Sequence, residues 1–176
     1  VIILEGPDGA GKTSLIRHLN DWLAMPVAPR VVGQDTKPLV DIYEWTNKNL
    51  AEGFQDKLFD RHRLISEPIY STVMGGDRDE QFWDPAWMGA ALRALREIQP
   101  IVIWCLPSFK AVNHNVLGDP HNQTVWMHID KIYKAYQYAW LLNTYAPYQV
   151  LWDYQNTDLR WFQDHLTNLI RRRKDS

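Results

Sequence analysis

Two short stretches of this chain carry residue types that can do chemistry together. The first, Gly6-Pro7-Asp8-Gly9-Ala10-Gly11-Lys12-Thr13, fits the spacing G-x-x-x-x-G-K-[ST] and is followed by Ser14. A polyphosphate needs many donors at short range, so the backbone must wrap it with N–H groups turned inward. Gly6, Gly9 and Gly11 permit that wrap because they carry no Cβ. In this reading the cofactor-binding residues are Gly6 to Ser14. Lys12 reaches the β- and γ-phosphates, and Thr13 holds Mg²⁺ through its hydroxyl. The alternative is a chance glycine-rich turn. The apolar run Val1-Ile2-Ile3-Leu4-Glu5 before the motif and a helical pattern after it favour the phosphate loop.

The second stretch is Lys57-Leu58-Phe59-Asp60-Arg61-His62, a short apolar strand that ends in an acid and an arginine. Ligands of parallel α/β sheets sit beyond the carboxyl ends of the strands, so Asp60 and Arg61 are expected to face the same crevice as the loop. Asp60 can hold Mg²⁺, directly or through water, and Arg61 can clamp phosphoryl oxygens. The plainer alternative is an Asp–Arg pair in a surface turn.

Strands and helices alternate around these stretches. Leu15, Leu19, Trp22 and Leu23 recur at helical spacing after the loop, and Pro26 closes that helix. Pro29 to Val32 reads as a second strand. Pro38 opens a helix through Leu39, Ile42, Tyr43 and Leu50, which stops at Gly53. Gly75 to Asp79 reads as a mobile loop, whose Arg78 either meets phosphate or stays solvated. Asp84-Pro85 is a cap and first turn for a helix with Trp87, Ala91, Ala94, Leu95 and Ile98 inside. Ile101 to Leu106 is a continuous apolar strand. The stretch 107–124 has no clear period and is read as a lid-like flap with short helical pieces. A long helix is expected from Val125 to Trp140, then a fifth strand over Tyr148–Asp153. A last helix is capped by Asn156 or Thr157 and buries Leu159, Phe162, Leu166 and Leu169. Its terminal Arg171-Arg172-Arg173-Lys174 complements the helix dipole rather than marking nucleic acid.

The bulk composition sets bounds. At 176 residues the chain is expected to be one domain, 1–176. A net charge of −2 argues against a general nucleic-acid coat. The single cysteine, Cys105, cannot make an internal disulfide, and His114, His121 and His128 lack ligand spacing, so no protein metal cluster is expected. No apolar run approaches the ~18 residues of a membrane span. A cytoplasmic setting and no membrane partner are expected. No signal peptide is visible, and a few residues are expected upstream of Val1, which is not an initiator Met. Nine Trp and eight Tyr are many for this length; core packing is their expected use, with a homodimer face as the alternative.

The loop Glu5-Gly6-Pro7-Asp8-Gly9-Ala10-Gly11-Lys12-Thr13, the Phe59-Asp60-Arg61-His62 segment and Ser66…Tyr70 together resemble the thymidylate kinase family, whose motifs are E-G-x-[DE]-G-x-G-K-[ST] and D-R-[YH] followed by Ser and Tyr. The element order matches over nearly the whole chain. The resemblance implies an α/β, three-layer P-loop kinase fold: a five-stranded parallel sheet flanked by helices, with ATP and Mg²⁺ as cofactors. It implies that Lys12 and Thr13 carry the ATP phosphates and metal, and that Asp8 meets the acceptor's 3′-hydroxyl. Asp60 would lie by the metal, Arg61 at the phosphoryl groups, Tyr70 near the acceptor, and the Asp153–Thr157 turn on the adenine side. The catalytic set is then Lys12, Asp60, Arg61 and Asp8.

Three departures from the family bear on the acceptor. The family's R-E-P-G segment is replaced by Arg30-Val31-Val32-Gly33, so the acceptor-phosphate arginine is either missing or replaced by Arg30 or Lys37. Gly9 stands where some members carry a loop arginine. Residues 107–130 contain no arginine, which leaves Arg61, Arg78, Arg93 or Lys110 as candidate cations. The leading expectation is an ATP-dependent deoxynucleoside monophosphate kinase acting on dTMP or a modified pyrimidine. Alternatives are a kinase acting on 5-hydroxymethyluracil in DNA, a deoxynucleoside kinase, and a nucleotide-binding protein without turnover.

Overall fold

The computed structural model describes residues 1–28, 56–75, 85–117, 123–143 and 145–175. Four strands among them form one parallel sheet in the order β2-β1-β3-β4. They are β1 (Ile2–Glu5), β2 (Leu58–Asp60), β3 (Ile101–Cys105) and β4 (Tyr148–Trp152). Both central strands, β1 and β3, are buried along their whole length. That suits their unbroken apolar sequences, because a parallel sheet is covered on both faces. The strand expected at 29–32, the helix expected from Pro38 to Gly53 and the loop at 76–79 lie outside the described residues. Just before them, Val27 makes a single parallel bridge to Leu58.

The helices are α1 (Lys12–Leu23), α2 (Arg63–Met74), α3 (Pro85–Glu97), α4 (Phe109–Leu117), α5 (Gln123–Trp126), α6 (Ile129–Leu142) and α7 (Leu159–Lys174). α1 buries Leu15, Ile16 and Leu19, while Trp22 and Leu23 of the expected stripe are only partly buried against the core. It meets α7 through His18 and Gln163, whose side-chain nitrogens lie 3.1 Å apart. α2 and α6 meet through an edge-to-face pair, Tyr70 and Tyr136, with ring centroids 6.2 Å apart. Trp104 of β3 adds a second such contact to Tyr136 at 6.4 Å. The aromatic surplus is thus partly spent inside: Trp104, Tyr136 and Phe162 are among the largest fully buried side chains.

Three local expectations are corrected. Leu159, expected inside the last helix, is exposed at its first position, and only Phe162, Leu166 and Leu169 of that stripe are buried. The long helix expected over Val125–Trp140 is broken at Met127-His128 into α5 and α6. There the His128 N–H reaches only three residues back, to Val125 O at 3.0 Å, and the chain bends before Ile129 enters the core. The last helix is capped by Asp158, not by Asn156 or Thr157: Asp158 Oδ1 accepts from Trp161 N at 2.8 Å. Thr157 and Asn156 are committed to Asp153 instead. Thr157 Oγ1 accepts from Asp153 N, and Asn156 Nδ2 donates to Asp153 Oδ2.

All four residues of the basic run, Arg171 to Lys174, fall in the last turn of α7, as expected for dipole complementation. Among the described residues no helix is long and apolar enough to cross a membrane.

Replacing Asp158 with Ala removes one cap bond and is expected to cost about 1 kcal/mol. This would be read as a lower urea midpoint with an unchanged slope. An unmoved midpoint would show that the cap contributes nothing.

Candidate functional site

β1 delivers the chain into the phosphate loop at the carboxyl edge of the sheet, between β2 and β3. Gly6 leaves the strand so close to β3 that a Cβ there would lie 2.3 Å from Cys105 O, so no other residue fits without moving that backbone. The loop then closes onto α1. Gly11 at the helix start is left-handed, no side chain caps the first turn, and that turn contains no acid. An uncapped helix start without an acid is suited to an anion.

Lys12 is buried, 7% exposed. Its Nζ donates to Gly6 O at 2.8 Å and to Pro7 O at 2.6 Å. The ammonium thus holds the loop's own carbonyls. Burial, with the nearby Arg61 charge, brings its pKa down to about 8.

The sheet brings the second stretch against the first. Leu4 pairs with Asp60 in the β1–β2 register. Arg61 follows in the left-handed region at φ 71°, unusual for a residue with a Cβ and worth about 1–2 kcal/mol of strain. Its Nη2 lies 2.6 Å from Asp8 Oδ1 and 2.8 Å from Tyr70 OH. Tyr70 in turn donates to Asp8 Oδ2 at 2.8 Å, and the guanidinium lies 4.9 Å from the Tyr70 ring centroid. The three side chains close a hydrogen-bonded triangle. Burial works to raise the Asp8 carboxyl, but Arg61, Lys12 and Tyr70 outweigh it and hold it below the ordinary range.

A fourth group was legible only as part of a motif. Glu5, the single polar residue of β1, is fully buried. Its Oε1 accepts the His62 backbone N–H at 2.6 Å, and its Oε2 accepts from Tyr136 OH at 3.2 Å. Burial pushes its pKa up to about 7 against the pull of the His62 amide, Arg61 and Lys12. The available signal was an acid at the end of an otherwise apolar strand.

The residues expected to hold Mg²⁺ suit that ion. Asp60 Oδ1 is buried and has no hydrogen-bond partner, a costly state for a carboxylate oxygen that a cation would relieve. Thr13, next to Lys12 in the first turn of α1, is exposed. Oxygen donors of this kind are what Mg²⁺ takes. Among the described residues no group of three or more His, Cys, Asp or Glu side chains could hold a metal.

The stretch read as a flap contributes α4, which rests directly on the loop. Asn115 Nδ2 donates to Gly9 O at 2.8 Å and to Tyr154 OH at 3.1 Å. A Cβ on Gly9 would lie 2.8 Å from Val112 O and 2.9 Å from Val116 Cγ2. The arginine that some thymidylate kinases carry here therefore has no room. Tyr154, from the β4–α7 turn, lies against Gly11 on the same side. With Trp152, Leu159, Ser14, Leu15, His18 and Asn115 it lines a cleft of about 520 Å³ beside the loop.

Other expected residues fall elsewhere. Arg93 and Lys110 are exposed on α3 and α4. Arg30, Lys37 and Arg78 lie outside the described residues. Cys105 is buried, with its thiol pushed up to about 12 by burial, and is no nucleophile.

No protein-family model and no curated protein matches the sequence. Solved structures match in fold. The YorR protein from Bacillus subtilis, in complex with phosphorylated GDP, superposes with a TM-score of 0.65 at 17% identity, covering 99% of this chain and 98% of that one. A deoxyadenosine kinase from M. mycoides with bound dATP gives 0.62 at 16% identity, over 97% and 98% of the two chains. The same kinase with bound dCTP gives 0.60 at 15% identity, over 97% and 99%. The chain thus has the α/β fold of P-loop nucleoside and nucleotide kinases, with a parallel sheet flanked by helices.

Two measurements follow from this geometry. Gly9 is left-handed at φ 75°, so Gly9→Ala both strains the loop and drives a methyl into α4. It is expected to weaken ADP binding at least ~10-fold by calorimetry; an unchanged affinity would mean that the loop does not need α4 where it lies. The second concerns acid stability. Burial brings the His62 ring down to about 4 from an ordinary 6.5, so it folds neutral while the unfolded chain takes up a proton below pH 6.5. Its stabilisation is complete above pH 6.5 and lost as the pH falls toward 4. His62→Asn keeps a capping side chain and removes that loss. Between pH 7 and 4.5 the wild type should lose about 2 kcal/mol more than the variant in urea titrations. Parallel curves would contradict a buried neutral His62.

Proposed function

We propose that the chain is an ATP-dependent phosphotransferase whose acceptor is a deoxynucleoside monophosphate, dTMP or a modified pyrimidine. The observation that carries this reading is the Asp8–Arg61–Tyr70 triangle at the lip of a phosphate loop that buries Lys12. It sets a cation for the moving phosphoryl group beside a carboxylate for a sugar hydroxyl. The fold shared with nucleoside and nucleotide kinases supports it.

In this reading Lys12 exchanges Gly6 O and Pro7 O for the β- and γ-phosphate oxygens of ATP, and the loop amides of Gly9 to Thr13 hold the remaining oxygens. Thr13 and Asp60 hold Mg²⁺, which when bound neutralises charge on the β- and γ-oxygens. Arg61 turns from Asp8 to the transferring group, and the freed Asp8 accepts the acceptor's 3′-hydroxyl. An oxygen of the acceptor phosphate attacks the γ-phosphorus in line, the bond to the β–γ bridging oxygen breaks, and ADP leaves. No covalent enzyme intermediate is needed: positioning and charge neutralisation supply the rate. The cleft beside Tyr154 takes the adenine.

A second reading, transfer to a hydroxyl group, is favoured by the scarcity of positive charge. Among the described residues the cations acting on both Glu5 and Asp8 are Lys12 and Arg61. A neutral hydroxyl, on a free deoxynucleoside or on 5-hydroxymethyluracil in DNA, asks for fewer cations than an acceptor phosphate.

The test is transfer of label from γ-labelled ATP with Mg²⁺. Acceptors are the four dNMPs, hydroxymethyl-dUMP, thymidine, deoxyadenosine, and duplex DNA with and without 5-hydroxymethyluracil. Labelled dNDP from a free monophosphate is expected, with Arg61→Ala reducing kcat about 10³-fold. Label only on nucleoside or DNA would establish the second reading. No label anywhere, with ATP still bound, would leave a nucleotide-binding protein without turnover.

A further inference from the structure

Glu5 touches none of the groups assigned to substrate, yet the chain buries its carboxylate completely at the foot of the loop. What it holds is backbone. Arg61 N donates to Leu4 O at 3.0 Å, which ends the β1–β2 pairing. The chain then turns through left-handed φ at Arg61. That turn aims the next amide, His62 N–H, back at Glu5 Oε1, 2.6 Å away. Directly beyond, His62 O accepts from Ile65 N and Ser66 N and starts α2, the helix that carries Tyr70. The other Glu5 oxygen takes Tyr136 OH from α6, whose ring packs edge-on against Tyr70. One carboxylate therefore fixes the strained residue, the start of its helix and the aromatic wall behind it.

We propose that Glu5 is a positioning residue for phosphoryl transfer: by accepting the His62 N–H it locks the left-handed turn that sets the Arg61 guanidinium against Asp8 and Tyr70. Without that acceptor, a buried amide is left unpaired and Arg61 relaxes toward ordinary backbone geometry. The guanidinium then leaves its place while Lys12 and the loop keep theirs. The loss therefore falls on the chemical step and not on ATP binding. This inference rests on the kinase reading above. The competing role is a simple counter-charge, because Lys12 and Arg61 both lie close enough to feel the Glu5 charge.

The experiment compares the wild type with E5A and E5Q, the second of which keeps an oxygen acceptor but no charge. The acceptor is whichever one the wild type uses. E5A is expected to lower kcat roughly 10- to 100-fold with KM for ATP within about threefold of wild type, and E5Q to recover most of the loss. E5Q as poor as E5A would overturn the proposal in favour of counter-charge, and an unchanged kcat in E5A would overturn it outright.

A second readout does not depend on turnover. The short His62 N–H bond to a carboxylate should give a downfield, slowly exchanging amide resonance in ¹⁵N spectra of the intact chain. It should be lost in E5A and remain protected in E5Q. If it is absent from the wild type, the bond and the proposal both fail. If no acceptor is phosphorylated, the kinase reading fails by itself and the amide still decides whether Glu5 holds the turn.

Discussion

A positive charge buried at the end of a parallel strand is the constraint that the rest of this structure answers. An ammonium loses several kcal/mol of hydration on burial unless acceptors and opposite charges around it compensate. Lys12 has two backbone carbonyls, Gly6 O and Pro7 O, for its hydrogen bonds. Asp8 and Asp60 supply opposite charge nearby, and Arg61 opposes it. The loop must curl to bring those carbonyls round, which is why Gly6 passes within contact of Cys105 O. β1 must lie between β2 and β3, because those neighbours bring Asp60, Arg61 and Cys105 to the same edge.

The cation supply follows from the same packing. α4 sits on Gly9 so closely that the loop cannot carry an arginine, and the Asn115 amide occupies the Gly9 carbonyl. Among the described residues Arg61 is therefore the cation beside Lys12, and the structure spends much to hold it. It accepts a left-handed backbone, a buried carboxylate beneath and a tyrosine above. Asp8, its partner, lies 53 positions away in sequence. Their salt bridge is largely shielded from solvent, so removing one partner leaves the other charge buried and exposed to the full cost of desolvation.

The loop, the strand ending in Asp60-Arg61 and the cores of the apolar stripes of α1, α3 and α7 were legible because local spacing determines them, whereas Leu159 at the start of α7 is exposed. Glycines at fixed offsets, a 3.6-residue period and a continuous apolar run each reflect a local geometry. What sequence did not reveal depends on contacts between distant residues. The break at Met127-His128 interrupts a pattern that stays helical in period on both sides. Thr157 looks as good a cap as Asp158, until Asp153 takes its hydroxyl. Glu5 reads as a motif letter, because its partners His62 and Tyr136 are 57 and 131 positions away. The seat of α4 on Gly9 is equally non-local, so a glycine that reads as a missing arginine turns out to be required by packing.

The most direct test of the account is a crystal structure with Mg²⁺ and a non-hydrolysable ATP analogue. Lys12 Nζ should leave Gly6 O and Pro7 O for the β- and γ-phosphate oxygens, with the phosphates wrapped by Gly9 to Thr13 and the metal between Thr13 and Asp60. A triphosphate bound elsewhere, with Lys12 still tied to its own loop, would contradict the claim that this buried charge is there for phosphate.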